Sequence, residues 1–235
     1  MPLPVAQVAQ MRTVRLVTSG RLKPPVLAEL VDDEAELAAI ANLEMLTSAR
    51  ARAQHHQVAL DVDPAELLTQ SQTQYGWTYV NAAFCYTRAT GNRFNGPQRG
   101  AWYASFEVET AQAEVAFHLT RELEATNCFV NETDYAELLA DFIGPFHDAR
   151  GLPAGEGILH PDPGIGYPQG QGLAADLRAR DSNGIVYPSL RNPGGTCLAC
   201  FKPICVQNVT QGGLWRMVWR GGREPEISRV GSVAG

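Results

Sequence analysis

Residues 91–118, GNRFNGPQRGAWYASFEVETAQAEVAFH, carry turn, strand and helix signals in close succession. Glycine, asparagine and proline at 91–92 and 95–97 are typical of turns, and they bracket Arg93 tightly. The apolar, aromatic run 101–106 predicts a strand, and apolar residues at 111, 115 and 119 then recur at helical spacing. Because short connections keep successive elements close in space, we expect this turn, strand and helix to be in contact.

Polar side chains from each of these elements are candidates for chemistry. Arg93 lies in the turn, and Tyr103 lies on one face of the strand. Glu114 and His118 are four residues apart and therefore share one face of the helix. A guanidinium is a planar, permanently charged fork that suits phosphate, and a carboxylate on an apolar helix face is costly unless it has a partner or a task. The combination indicates a pocket for a phosphorylated ligand that becomes cationic as it reacts.

Together with the motif VYPSLR at 186–191, these residues resemble the RES-domain family, the toxins of RES–Xre toxin–antitoxin pairs. The resemblance covers roughly residues 80–220. It rests on the order of the motifs and their strand–turn–helix context, because each short motif alone would arise by chance. The arginine, glutamate and serine of the family name, and its active-site tyrosine, match Arg93 in GNRFN, Glu114 in ETAQAEV, Ser189 in VYPSLR and Tyr103 in AWYAS.

The resemblance implies an α+β fold like that of the ADP-ribosyltransferases, in which a split pair of small sheets with flanking helices encloses a cleft. It implies NAD as a consumed substrate, inorganic phosphate or water as acceptor, no permanently bound cofactor and no metal. Glu114 would stabilise the positive charge that develops on the ribose as the nicotinamide–ribose bond breaks. Arg93 would hold the pyrophosphate, Tyr103 and Ser189 would bind the nicotinamide–ribose end, and Arg88 and His118 are further candidates for substrate binding.

Each candidate also has a purely structural interpretation, and three classes of function stay open. The chain could be an NAD-degrading toxin, a mono-ADP-ribosyltransferase that modifies a protein, or a non-enzymatic binding module on the same fold. The structural interpretations are that Arg93 binds a protein carboxylate, Glu114 is a surface residue paired with His118, Tyr103 is a core tyrosine, Ser189 caps a turn, and Arg88 lies on the surface.

Charge and cysteine content constrain the partners and the compartment. The 235 residues include 19 Lys or Arg and 25 Asp or Glu, giving a net charge of −6 without a basic stripe. This argues against direct nucleic acid binding, so we expect DNA contact to be left to an Xre-type antitoxin. The N-terminus lacks a signal-peptide pattern, and no window is apolar enough to cross a membrane. The five cysteines lack the spacing of a disulfide framework, which favours reduced thiols in the cytoplasm.

Local patterns predict the remaining organisation as a mainly helical N-terminal extension at 1–75, a RES domain at 76–220 and a loose C-terminal tail at 221–235. The extension exceeds a minimal RES domain, and we expect it to supply a surface for a homodimer or for the antitoxin. Within it, 27–52 has a helical apolar stripe, and Asp63 and Pro64 begin a short helix. The histidines at 55–56 diverge on a helix and indicate a solvated face.

The second half of the chain reads as alternating strands and loops. Residues 151–172 are dominated by glycine and proline and predict a long loop near the mouth of the cleft. The C-x-x-C at 197–200 lacks a nearby histidine to complete a zinc site, and in a strand its thiols would point to opposite faces. Strands are predicted at 127–130, 135–143 (where a helix is also compatible), 185–187, 196–201, 204–207 and 214–219.

Overall fold

The computed structural model describes residues 3–21, 61–69 and 75–231. Within these ranges it contains seven strands and three α-helices, which confirms the predicted mixed α and β class. The predicted helix at 27–52 and the histidine pair at 55–56 lie outside the described residues. The elements are β1 (Val5–Thr18), α1 (Trp77–Cys85), β2 (Trp102–Ser105), α2 (Val108–Thr126), β3 (Val130–Asp148), α3 (Pro163–Ala179), β4 (Gly184–Pro188), β5 (Thr196–Cys200), β6 (Gln207–Arg220) and β7 (Glu226–Val230).

The strands form one sheet in the order β1-β2-β5-β4-β3-β6-β7, and β1 also pairs with β3. Most of the pairing falls into two antiparallel parts, one made of β1, β3, β6 and β7 and the other of β2, β5 and β4. The parts meet where Val14 pairs with Ser105, and where the end of β3 runs parallel to β4. This division agrees with the split pair of small sheets that the resemblance implied.

The long strand β3 replaces the two separate strands that local patterns predict. It pairs with β1 along one edge and with β6 along the other, so its backbone groups are satisfied on both sides. Asp141, in its middle, accepts hydrogen bonds from the backbone N–H of Arg12 and from the side chain of Asn208, each over 2.8 Å. Arg12 and Asn208 have φ of 55° and 52°, and both lie at register shifts of the flanking strands. One carboxylate therefore stabilises irregularities in two neighbouring strands.

Apolar side chains pack on both faces of the β2-β5-β4 part. One cluster joins Phe84 of α1 to Trp102 and Cys200, and the other joins Leu177 of α3 to Phe94 and Cys197. The two thiols of the C-x-x-C thus lie in different clusters on opposite faces, as strand alternation predicts. The five cysteines all lie within the described residues, and none of them is in a disulfide bond. Of the helices that the structure describes, none is long and apolar enough to cross a bilayer.

The predicted loop at 151–172 is wrong in its second half, because α3 begins at Pro163. The Asp162 side chain caps this helix by accepting a backbone N–H, and proline occupies its first position. The glycines at 166 and 170 allow this helix to pack closely against Arg93. A Cβ at Gly166 would lie 2.8 Å from Nη1 of Arg93, and a Cβ at Gly170 would overlap the Arg93 carbonyl oxygen. The glycine-rich composition therefore reflects a helix packed against the Arg93 turn.

The sheet also extends into both terminal segments. β1 comes from the segment predicted as a mainly helical extension, and it pairs with β3 from Val5 to Thr18. Residues 226–230, predicted as part of a loose tail, instead form β7 on β6. Four of the five β7 residues are exposed, so the sequence lacks the apolar alternation that would predict this strand. The short helix that begins at Pro64 is confirmed, with the Asp63 side chain accepting a hydrogen bond from the backbone of Ala65.

Candidate active site

A cavity of about 410 Å³ opens where the two parts of the sheet meet, a size typical of small-molecule sites. The paired residues Val14 and Ser105 both line it, together with side chains of α2, α3 and the turn around Arg93. Among the described residues, Glu114 is the single carboxylate of the wall, although the chain as a whole is acidic. The other ionisable groups of the wall are Arg15, Arg88, Arg93, Arg191, His118, Tyr86, Tyr103, Tyr167, Tyr187 and Cys197.

Glu114 is held in place by two donors from the β4–β5 side of the cavity. Its Oε1 accepts a hydrogen bond from Ser189 Oγ over 2.7 Å and another from Cys197 Sγ over 3.8 Å. Burial, reinforced by the charge of Glu114, raises the pKa of Cys197 to about 12, so the thiol remains a donor. In the described part of the chain both bonds fall on Oε1, which leaves Oε2 free to accept from a ligand hydroxyl.

Ser189 combines the two interpretations that its sequence position allows. It directly follows β4, and its Oγ accepts backbone N–H groups of Arg191 over 3.1 Å and Asn192 over 3.0 Å. The hydroxyl therefore caps a turn, and it also donates to Glu114. The predicted contact of Ser189 with the ligand stays a prediction, because its own hydrogen is already used on the carboxylate.

Arg93 is buried at 7% exposure and is held by neutral groups. Its Nη1 donates to the backbone carbonyls of Ile158 over 2.6 Å and His160 over 3.1 Å, and its Cζ lies 5.3 Å from the ring centroid of Tyr167. Among the described residues no carboxylate forms an ion pair with Arg93, so the interpretation as a partner of a protein carboxylate is not observed. Its charge is available to an anion in the cavity.

Tyr103 fixes the turn that carries Arg93. Its hydroxyl donates to Asn95 Oδ1 over 2.9 Å and accepts the backbone N–H of Phe94 over 2.8 Å. Burial raises the pKa of Tyr103 above its ordinary value, so the hydroxyl stays neutral. The ring lines the cavity, and a contact between the ring and the ligand stays a prediction. The hydroxyl, however, is engaged with the turn rather than directed to a ribose.

The two secondary candidates, Arg88 and His118, lie at the same cavity in different electrostatic states. Arg88 forms an ion pair with Glu122 over 2.8 Å, and about half of each side chain is exposed. Burial, followed by the charges of four arginines, lowers the pKa of His118 to about 4, so its ring is neutral near pH 7. Its Nε2 lies 3.5 Å from the hydroxyl of Tyr167. The structural interpretation in which Glu114 pairs with His118 is not observed among the described residues, where Glu114 accepts from Ser189 and Cys197 instead.

Arg191 and Tyr167 are among the residues of the wall that sequence reasoning missed. The Arg191 guanidinium lies over the Phe117 ring, 3.3 Å from its centroid, and Nη2 donates to the carbonyl of Pro161 over 2.6 Å. The available signal was its position two residues after Ser189 in VYPSLR. Tyr167 was hidden because the glycine- and proline-rich segment around it read as a loop.

Comparison with known proteins places this site in a family. No curated protein sequence matches the chain. A chain in the crystal structure of the M. tuberculosis MbcT–MbcA toxin–antitoxin complex is similar at 15% identity, over 53% of this chain and 73% of that one, with a TM-score of 0.37. The RES domain matches residues 68–220, which include Arg93, Tyr103, Glu114 and Ser189. Since this match spans more than half of the sequence, the chain belongs to the RES-domain family.

Proposed function

We propose that this protein degrades NAD by breaking the nicotinamide–ribose bond, with phosphate or water as acceptor. We further propose that it acts as the toxin of a toxin–antitoxin pair and is neutralised by an Xre-type antitoxin. Membership of the RES-domain family supports this assignment. The antitoxin would also supply the DNA contact for which this chain, at a net charge of −6, has no basic stripe.

The observation that carries the proposal is the isolation of Glu114 in a cationic cavity. It is the one carboxylate in the described wall, it faces arginines, and Ser189 orients it over 2.7 Å. Arginines suit the phosphates of a dinucleotide, whereas a single fixed carboxylate suits a centre in the ligand that becomes cationic. NAD has both features, because its diphosphate is anionic and its ribose becomes cationic when nicotinamide leaves.

The chemistry follows from the charge change at the ribose. When the glycosidic bond breaks, its electron pair goes to the pyridinium nitrogen and nicotinamide departs as a neutral molecule. Positive charge then develops on the ribose, as in glycoside hydrolysis, and Glu114 stabilises it without reorganisation because Ser189 and Cys197 already fix the carboxylate. Phosphate attack at the same carbon gives a ribosyl phosphate, whereas water gives the free sugar and releases a proton.

Incubation of the purified full chain with NAD, with and without inorganic phosphate, tests the proposal. We expect free nicotinamide in amounts that depend on active protein, and mass spectrometry of the second product identifies the acceptor. A phosphorylated ADP-ribose product indicates phosphorolysis, and ADP-ribose indicates hydrolysis. ADP-ribose retained on a protein instead would indicate the transferase, and the absence of turnover in every condition would refute NAD cleavage.

A further inference from the structure

Two arginines of the cavity, Arg93 and Arg191, are held in the same way although almost one hundred residues separate them. Each donates to backbone carbonyls of one short segment, residues 158–161: Arg93 to those of Ile158 and His160, and Arg191 to that of Pro161. Each guanidinium also lies against an aromatic ring, that of Tyr167 for Arg93 and that of Phe117 for Arg191. Both forks are thus fixed in orientation by groups that carry no charge.

This way of holding an arginine preserves its charge for a ligand. Arg88, in the same wall, has its charge met by Glu122. Arg93 and Arg191, by contrast, form no ion pair with any carboxylate among the described residues. A carbonyl accepts a hydrogen bond without cancelling the positive charge, and a guanidinium fixed in advance loses less entropy when it binds an anion. The two residues are therefore preorganised, charged forks in one cavity.

The backbone also ties Arg191 to Glu114. The N–H of Arg191 bonds to Ser189 Oγ, and that hydroxyl donates to the Glu114 carboxylate. Burial, followed by the charges of Arg88, Arg191, Arg121 and Arg93, lowers the pKa of His118, which lines the same cavity. An anion bound to Arg191 would therefore lie in a fixed position relative to Glu114. A substrate whose reacting bond lies near its phosphates requires such an arrangement.

We propose that Arg93 and Arg191 together form a two-point site for a diphosphate, and that Arg191 is the residue that distinguishes a diphosphate from a monophosphate. The inference rests on the proposed function, since the diphosphate would be that of a dinucleotide substrate. One guanidinium fork binds two oxygens of one phosphate, and a second fork gains most when a second phosphate is present. Arg191 thereby favours ligands with a diphosphate, such as dinucleotides, over ligands with a single phosphate.

Calorimetric titration of the wild-type chain and of its Arg191→Gln variant with ADP and with AMP tests this inference. These two ligands differ by one phosphate and contain no nicotinamide bond to cleave. We expect Arg191→Gln to weaken ADP binding by about tenfold or more, the effect of one lost charge-assisted contact, and AMP binding by less than about threefold. Arg191→Lys, which keeps the charge but lacks the fork, should restore part of the ADP affinity.

Arg121→Gln is the matched control. Arg121 is exposed, and its Cζ lies 5.8 Å from the centroid of the same Phe117 ring, but it is not part of the cavity wall. Removing its charge should change ADP affinity by less than about threefold, because exposed charges are screened. Equal losses in the Arg121 and Arg191 variants would mean that only the general potential matters, and would overturn the two-point site.

The remaining outcomes separate this inference from the proposed function. If Arg191→Gln weakens ADP and AMP alike, Arg191 only supports the 158–161 segment and the diphosphate site is wrong. If ADP binds wild type and variant equally, or binds neither, the inference also fails, whatever the NAD turnover. If ADP binding depends on Arg191 but the wild type leaves NAD intact, the diphosphate site is supported and the proposed NAD cleavage is refuted.

Discussion

Ser189 donates its hydroxyl hydrogen to Oε1 of Glu114 over 2.7 Å, although 75 positions separate the two residues. The Ser189 Oγ also accepts hydrogen bonds from the backbone N–H groups of Arg191 and Asn192. One hydroxyl therefore orients the carboxylate of α2 and also shapes the turn after β4. Such an arrangement fixes a charge before the reaction begins, which is the usual source of electrostatic stabilisation in enzymes.

Removal of this hydroxyl should impair turnover more than folding. We expect Ser189→Ala to lower kcat by about ten- to a hundredfold, since a hydrogen bond to a charged group is worth roughly 1.5–3 kcal/mol. Ser189→Thr keeps a hydroxyl and should recover part of the rate. Ser182→Ala is the matched control, because Ser182 is also buried and bonds His147 and Gly184 away from the cavity. Steady-state NAD kinetics distinguish the two variants, and equal kcat values would contradict this role of Ser189.

Neutralising Glu114 tests the charge itself. Glu114→Gln keeps the size and the ability to accept a hydrogen bond from Ser189 but removes the negative charge. We expect turnover to fall by about a hundred- to a thousandfold with the fold retained, because one preorganised electrostatic contact is worth several kcal/mol in a transition state. Glu109→Gln, an exposed residue of the same helix, should leave the rate unchanged. Near-normal NAD consumption by Glu114→Gln would exclude the proposed mechanism.

Two glycines of α3 should respond to alanine in opposite directions. A Cβ at Gly170 would overlap the carbonyl oxygen of Arg93, whereas a Cβ at Gly172 meets nothing within 4 Å. We expect Gly170→Ala to lower the free energy of unfolding by about 1–3 kcal/mol through overpacking. Gly172→Ala should raise it by up to about 1 kcal/mol through helix propensity. Denaturant unfolding of both variants measures this, and equal stabilities would mean that α3 does not pack against the Arg93 turn.

His118 should make the protein sensitive to acid. Burial and the neighbouring arginines lower its pKa from 6.5 to about 4 in the folded chain. Between these values the unfolded chain binds a proton that the folded chain does not, so stability falls as pH decreases through this window. Between pH 7.5 and pH 4.5 we expect the free energy of unfolding of the wild type to fall by about 2 kcal/mol more than that of His118→Gln, because the variant has no ring to protonate. Urea unfolding at both pH values checks this, and parallel losses would contradict the buried, neutral ring.

Substitutions of Arg93 test whether one residue serves both substrate binding and neutralisation. If an antitoxin segment blocks the cavity with a carboxylate or its C-terminus, Arg93→Ala should weaken both NAD turnover and the affinity for the Xre-type antitoxin. Arg93→Lys should recover each only partly, because lysine lacks the bidentate fork. Arg220→Gln, at an exposed ion pair with Glu226, serves as control for both measurements. Lost turnover with unchanged antitoxin affinity would show that neutralisation acts elsewhere on the chain.

The sequence by itself determined those parts of the site that depend on neighbouring residues. The turn around Arg93, the strand with Tyr103 and the helix with Glu114 and His118 follow from turn residues, an apolar run and a four-residue spacing. These signals depend on residues that are close together in the sequence, where few long-range contacts compete with them. Ser189 was also identified, but through motif order rather than through any local pattern that linked it to Glu114.

Only the tertiary structure decided which distant groups meet. The strand β5 lies between β2 and β4, and this placement brings the turn after β4 to α2 and joins Ser189 and Arg191 to Glu114. The same packing shows that Gly170 permits close contact with Arg93 and commits the hydroxyl of Tyr103 to the turn. Local composition could not distinguish a glycine in a loop from a helix glycine that packs against a carbonyl group. The difference is a contact with a residue far away in the chain.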